Sequence, residues 1–100
     1  MILVYITNPT EAEARQIARQ LLEKKLIACA NIFPVNSMYW WKGKIANDRE
    51  NVIIAKTSDK NFKKLENEVK KIHSYEIQCI LRISATANKE YEAWANKEIK

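Results

Sequence analysis

A chain of 100 residues, 47% hydrophobic and 29% charged, can bury one core but not two, so a single domain over residues 1–100 is expected. One glycine and two prolines argue against long irregular loops and disorder, and no apolar run approaches the roughly 20 residues of a membrane helix, so no membrane role is expected. The net charge of +5 rests on 13 lysines against 4 arginines, interleaved with glutamates at Lys24-Lys25, Lys63-Lys64 and Lys70-Lys71, which is the pattern of solvated helix faces and not of a nucleic-acid site.

Met1 to Ile6 is an almost unbroken apolar run with β-branched content, which predicts a central strand covered on both faces. It lacks the basic n-region and small-residue cleavage site of a signal peptide, so a cytoplasmic protein is expected. A helix follows, capped by Asn8 with Pro9 at its first position, or by Thr10 in register with Glu13. Ala14, Ile17, Ala18, Leu21 and Leu22 then recur at helical spacing along one face.

Leu26 to Phe33 reads as a second strand, apolar on both faces. Pro34 has no N–H to give a ladder, so a bend or bulge is expected there before the strand resumes from Val35 to Trp41. Lys42-Gly43-Lys44 holds the only glycine and marks a hairpin tip, with a return arm from Lys44 to about Thr57. Asn47 to Asn51 is polar throughout and is expected to interrupt that arm as an exposed bulge or loop. Ser58 or Asp59 can cap a second amphipathic helix, in which Phe62, Leu65, Val69 and Ile72 share a face and which ends near His73. Ile77 to Ile83 reads as the last strand, and Asn88 can cap a short helix carrying Tyr91, Trp94 and Ala95. Cys29 and Cys79 both fall in apolar strand-like runs; buried reduced thiols are expected, with a disulfide or a metal site as alternatives.

The order β-α-β-β-α-β with a terminal helix is the split βαβ, ferredoxin-like arrangement: an α+β fold with a four-stranded antiparallel sheet and a long hairpin between the second and third strands. Right-handed crossovers put both main helices on one face of the sheet. The other face is then bare, although the first two strands are apolar on both sides. Trp40 and Trp41, being neighbours on a strand, point to opposite faces. One short helix cannot cover four strands, so a homo-oligomer is expected.

In its residues the chain resembles the CutA divalent-cation tolerance proteins over nearly its full length. The resemblance rests on Leu26-Ile27-Ala28-Cys29-Ala30-Asn31, on Tyr39-Trp40-Trp41-Lys42-Gly43-Lys44-Ile45, on Lys56-Thr57 and on His73-Ser74-Tyr75-Glu76. Val4-Tyr5, Pro9, Tyr91 and Trp94 also fall where the family has similar residues. It implies a ferredoxin-like fold, a compact homotrimer whose hairpins join sheets across subunits, and a function in tolerance to copper and other divalent metals. The ligands the family suggests are a cysteine near the end of the first strand, where this chain has Ile6, and a histidine that corresponds to His73. The family's His-Pro-Tyr-Glu-x-Pro is here His73-Ser74-Tyr75-Glu76-Ile77-Gln78, with both prolines replaced.

His73, with Glu76 beside it, is the candidate ligand set for a divalent transition metal such as Cu or Zn; a lone histidine at a helix C-terminus is also simply favourable to the helix dipole. No Ser-His-acid or Cys-His grouping and no glycine-rich phosphate loop can be assembled, so no catalysis is expected. The tryptophans point to core and interface packing in preference to base stacking. Two functions follow: a homotrimeric, non-catalytic metal-binding or metal-responsive protein, or a regulatory module that takes a small anionic ligand or a partner protein in an inter-subunit cleft lined by Tyr39, Trp41, Lys56 and Tyr75.

Overall fold

The computed structural model describes residues 1–100. Its elements are β1 (Ile2–Asn8), α1 (Glu11–Glu23), β2 (Cys29–Trp41), β3 (Lys44–Thr57), a 3-10 turn (Asp59–Asn61), α2 (Phe62–Ile72), β4 (Ile80–Ser84) and α3 (Lys89–Glu98). All strand pairs are antiparallel and the sheet order is β2-β3-β1-β4, so each crossover helix skips one strand, as the split βαβ topology requires. The fold is the ferredoxin-like α+β arrangement that the element order predicts.

Helix α1 settles its own start. Thr10 Oγ1 accepts from the Glu13 N–H at 3.1 Å, which makes Thr10 the cap. At the other end Lys25 takes φ of 59°, while the Leu26 and Lys25 N–H groups donate to Leu21 and Leu22 at 3.0 Å each. This is a Schellman closure with lysine where glycine is usual. The buried stripe of α1 (Ala14, Ile17, Ala18, Leu21) meets Leu65 and Val69 of α2 above one face of the sheet, where Val4, Ile6, Ile53 and Ala55 are wholly buried. Burial of these side chains is the main apolar contribution to stability.

Several expectations from the sequence need correction. Strand β2 begins at Cys29 and not at Leu26, because Leu26, Ile27 and Ala28 are buried in the turn beneath the end of α1. Pro34 makes no bend: it pairs with Asn51 in a register that runs unbroken from Cys29↔Lys56 to Trp41↔Lys44. Strand β2 is the edge of the sheet, so a nitrogen turned outward costs no ladder bond. The same register carries Asn47 to Asn51 through as ordinary strand, with no bulge. Strand β4 starts at Ile80, and Ile77, 73% exposed, lies outside it. Helix α2 also starts later than its proposed caps, at Phe62, and Ser58 makes no capping bond.

Within the chain β1 is covered on one face only. Ile2, Val4, Ile6 and Asn8 are buried, while Leu3, Tyr5 and Thr7 alternate with them toward the opposite side. That side is an open apolar sheet on which Phe33, Ile54, Leu81 and Ile83 stand beside Leu3 and Tyr5. Helix α3 packs only against its Cys29–Lys56 end, where the Lys56 ammonium lies 5.4 Å from the Tyr91 ring centroid. The hairpin tip projects from this body in an elongated molecule of 45 × 25 × 21 Å. Lys42 and Gly43 both have positive φ, 49° and 78°, the pattern of a two-residue type I′ turn.

Candidate functional site

The open sheet face is mainly apolar, with Asn31 and Lys56 toward one end and a cluster of carboxylates at the base of the hairpin. Residues of β3 alternate between the two faces, and Asp48, Glu50 and Val52 share the open one. Asp48 accepts from the Tyr39 hydroxyl at 2.5 Å, across the ladder on β2. Glu50 is 6% exposed and accepts from the Tyr75 hydroxyl at 2.6 Å. Tyr39 and Tyr75, two of the residues expected to share a cleft, are thus brought together by two carboxylates that the sequence reading placed in an exposed loop.

These carboxylates set the electrostatics. The phenol of Tyr75 is pushed far above its ordinary value, by burial first and then by its bond to Glu50. Tyr39 is raised too, chiefly by its bond to Asp48. Burial, and after it Glu50, pushes the Cys79 thiol up, so it stays a neutral thiol. Cys29 and Cys79 are both free and only half-buried, which corrects the expectation of buried thiols. The patch therefore carries a negative field, favourable to cations and unfavourable to anions.

His73 lies next to this patch with both ring nitrogens engaged. Nε2 meets the Thr7 carbonyl oxygen at 2.7 Å, and Nδ1 accepts from the Tyr75 N–H at 3.1 Å. A carbonyl can only accept and an N–H can only donate, so the ring is the neutral tautomer with its proton on Nε2. Its single lone pair is spent on Tyr75. The Glu13 carboxylate, 3.6 Å from Nδ1, instead accepts from the Ser74 N–H at 3.2 Å and the Ser74 hydroxyl at 3.0 Å. The His73 side chain is fully buried, and Glu76 is exposed with no partner in the chain. No three His, Cys, Asp or Glu side chains converge as a ligand set within the chain. His73 and Glu76 accordingly do not fit a transition metal as they stand: the imidazole offers no free lone pair and Glu76 points to solvent.

The other expected cleft residues lie apart from this patch. Trp41, with Lys42 5.7 Å from its ring centroid, is at the hairpin tip. Lys56 is at the opposite end of β3, six residues from Glu50 and about 20 Å away at strand rise. The four residues meet in one cleft only if a second copy brings the ends together. Asp48, Glu50 and Glu13 were missed by sequence reading. The signal for the first two was present, since Asp48 and Glu50 fall on the same alternation as Val52 and Ile54.

Comparison with known proteins agrees with the fold. A family profile described as CutA1 divalent ion tolerance protein matches residues 2–98. The divalent-cation tolerance protein CutA of Thermotoga maritima is 44% identical over 100 residues, which is 99% of each chain. The crystal structure of CutA1 from Pyrococcus horikoshii superposes with a TM-score of 0.96 at 37% identity, covering 100% of this chain and 99% of that one. The structure of CutA from Archaeoglobus fulgidus, described as a periplasmic divalent cation tolerance protein, does so with a TM-score of 0.97 at 43% identity, covering 100% of both chains.

Proposed function

The chain belongs to the CutA1 divalent ion tolerance family, and from that premise we propose that it is a non-catalytic, metal-responsive homotrimer of the cytoplasm. The observation that carries the assembly is the open sheet face. Leu81 is 51% exposed, Ile83 43% and Phe33 36%, in one continuous apolar surface, while Trp40 and Met38 stand out from the hairpin. A soluble protein does not leave such a surface to water, and further copies of the same face and hairpin would cover it.

The ligand reading follows from the field at the hairpin base. Asp48 and Glu50 draw a divalent cation, and a neighbouring subunit would complete the donor set that one chain lacks. Two observations disfavour the alternative of a small anion in the same cleft. The patch is negative, and Lys56, the cation meant to hold the anion, is already placed over Tyr91. His73 is the ligand that the family resemblance suggests, with Glu76 its candidate neighbour, and using His73 would require the Tyr75 N–H bond to break.

Sedimentation and a metal titration test both parts. The wild type should sediment as a trimer, and Leu81→Asp, which puts a charge in the middle of the open face, should dissociate it; a monomeric wild type ends the proposal. Titration with Cu(II) and Zn(II) should show weaker binding in Asp48→Asn/Glu50→Gln and unchanged binding in His73→Ala. The opposite ranking would return the site to His73.

A further inference from the structure

On the helix side of the sheet, the end of α1, one face of α2 and the C-terminal segment line an open cavity of about 390 Å³. Its charged side chains are four lysines, Lys24, Lys64, Lys71 and Lys100, against one carboxylate, Glu68. Leu26 is the one apolar side chain that lines it, so the cavity has little to offer an apolar ligand. Lys100 is held in place by its backbone N–H, which donates to the Lys25 carbonyl at 3.0 Å. Asn61, 2% exposed, forms part of the wall, its amide nitrogen directed to the Leu26 carbonyl at 3.4 Å and to Thr57 Oγ1 at 3.3 Å.

Glu68 cannot neutralise this set. It pairs with Lys24 at 2.9 Å and with Lys71 at 4.0 Å, and also accepts from Gln20 at 3.1 Å. Its carboxyl is held below the ordinary range, with Lys24 as the leading cause, so it stays ionised. The ammoniums of Lys64 and Lys100 meet no carboxylate side chain, and the one carboxylate near Lys100 is the α-carboxylate at its own chain end. Four lysine ammoniums against the Glu68 carboxylate and the α-carboxylate at Lys100 still leave an excess of two positive charges at this cavity. The adjacent face of α2 differs: Lys63 and Lys70 both pair with Glu66, at 3.5 and 3.2 Å, and neither lines this cavity.

We propose that this cavity is a binding site for a compact polyphosphate anion, of the pyrophosphate class. Several ammoniums on separate elements suit a ligand that spreads its charge over adjoining phosphoryl groups, since each lysine acts as a point charge. The site lies on the helix side of the sheet, opposite the open apolar face.

The test is calorimetric titration with inorganic pyrophosphate, with a nucleoside triphosphate and inorganic phosphate as parallel probes. Wild type should bind pyrophosphate more tightly than phosphate, with an affinity that falls as salt rises. Tighter binding of the nucleotide than of pyrophosphate would identify the source as a nucleotide; equal binding would identify the phosphate chain alone. Lys64→Gln/Lys71→Gln should weaken pyrophosphate binding about tenfold, the loss expected from two partly exposed charge contacts. Lys63→Gln/Lys70→Gln removes the same charge from the same helix and should change it less than about twofold. The proposal is overturned if both double variants lose affinity equally, because net charge then accounts for the binding, or if wild type binds no pyrophosphate. All four lysines in the variants are surface side chains, so folding is not at stake.

Discussion

His73→Ala separates a structural histidine from a ligating one. The substitution strips a fully buried ring from between β1 and the segment after α2, leaving the Thr7 carbonyl and the Tyr75 N–H without partners. Each unpaired group, being partly buried, costs about 1 kcal/mol, and the space left by the fully buried ring adds to that, so a destabilisation of about 2–4 kcal/mol is expected. For a domain of this size that corresponds to a fall in melting temperature of at least about 10 °C. The assay is thermal or urea unfolding of both proteins at equal chain concentration, because the proposed assembly would make the midpoint depend on concentration. Cu(II) titration is run on the same samples. His73→Gln can keep a donor toward Thr7 and should recover part of the loss. An alanine variant that melts with the wild type yet loses copper affinity would refute the reasoning, since it would show a ring free to ligate and idle in the fold.

Other outcomes are expected from the same geometry. The Tyr75 phenol is held protonated in the native state, so the unfolded chain releases its proton first as pH passes the ordinary 10.0, and stability should fall above that pH. Tyr75→Phe should flatten this alkaline decline while costing about 1–3 kcal/mol at neutral pH, through the unpaired Glu50 carboxylate; urea midpoints across the alkaline range check both. Glu66 and Glu68 are held below the ordinary 4.5 by their lysine partners, so the stability they add is present above that pH and is lost as pH falls through their depressed values. Acid unfolding of Lys24→Gln should show less of that dependence than wild type. Lys25→Gly, at φ of 59° in the Schellman turn, should stabilise by up to about 1 kcal/mol, whereas Gly43→Ala, at φ of 78°, should cost about 1–2 kcal/mol; chemical denaturation measures each. Nothing lies within 4 Å of a Cβ built at Gly43, so the second effect is conformational and not steric.

Much of the fold could be read from local pattern, because its determinants are local. The spacing of Ala14, Ile17, Ala18 and Leu21 defines α1 whatever packs on it, and the lone glycine does stand in the turn of the hairpin. The errors fall where a residue's meaning depends on distant strands. Pro34 breaks a central strand but is harmless on an edge, and only the pairing of β3 with β1 makes β2 an edge. Asn47 to Asn51 looks like a loop because it is polar, yet its polarity belongs to a ribbon that projects beyond the helices and has a dry side only in part.

The candidate site was legible in its residue types and not in their valences. His73, Tyr75 and Tyr39 could be singled out as candidate side chains, but what each can still bind depends on what already holds it. For His73 those partners are Thr7 and Tyr75, one of them 66 positions away in the chain, and for Tyr75 the partner is Glu50. The same accounting distinguishes the two faces of the molecule. On the sheet side, carboxylates are tied to phenols, and the apolar surface around them calls for more copies of the chain. On the helix side, the ammoniums of Lys64 and Lys100 pair with no carboxylate side chain. Under the proposed functions, coordination capacity for a cation would come from a neighbouring subunit, whereas capacity for an anion would be present in the single chain. The two activities should consequently respond differently to dissociation: Leu81→Asp should abolish divalent-cation binding along with the trimer and leave pyrophosphate binding within about twofold of wild type. Loss of both in that variant would show that the lysine cavity, too, depends on the assembly.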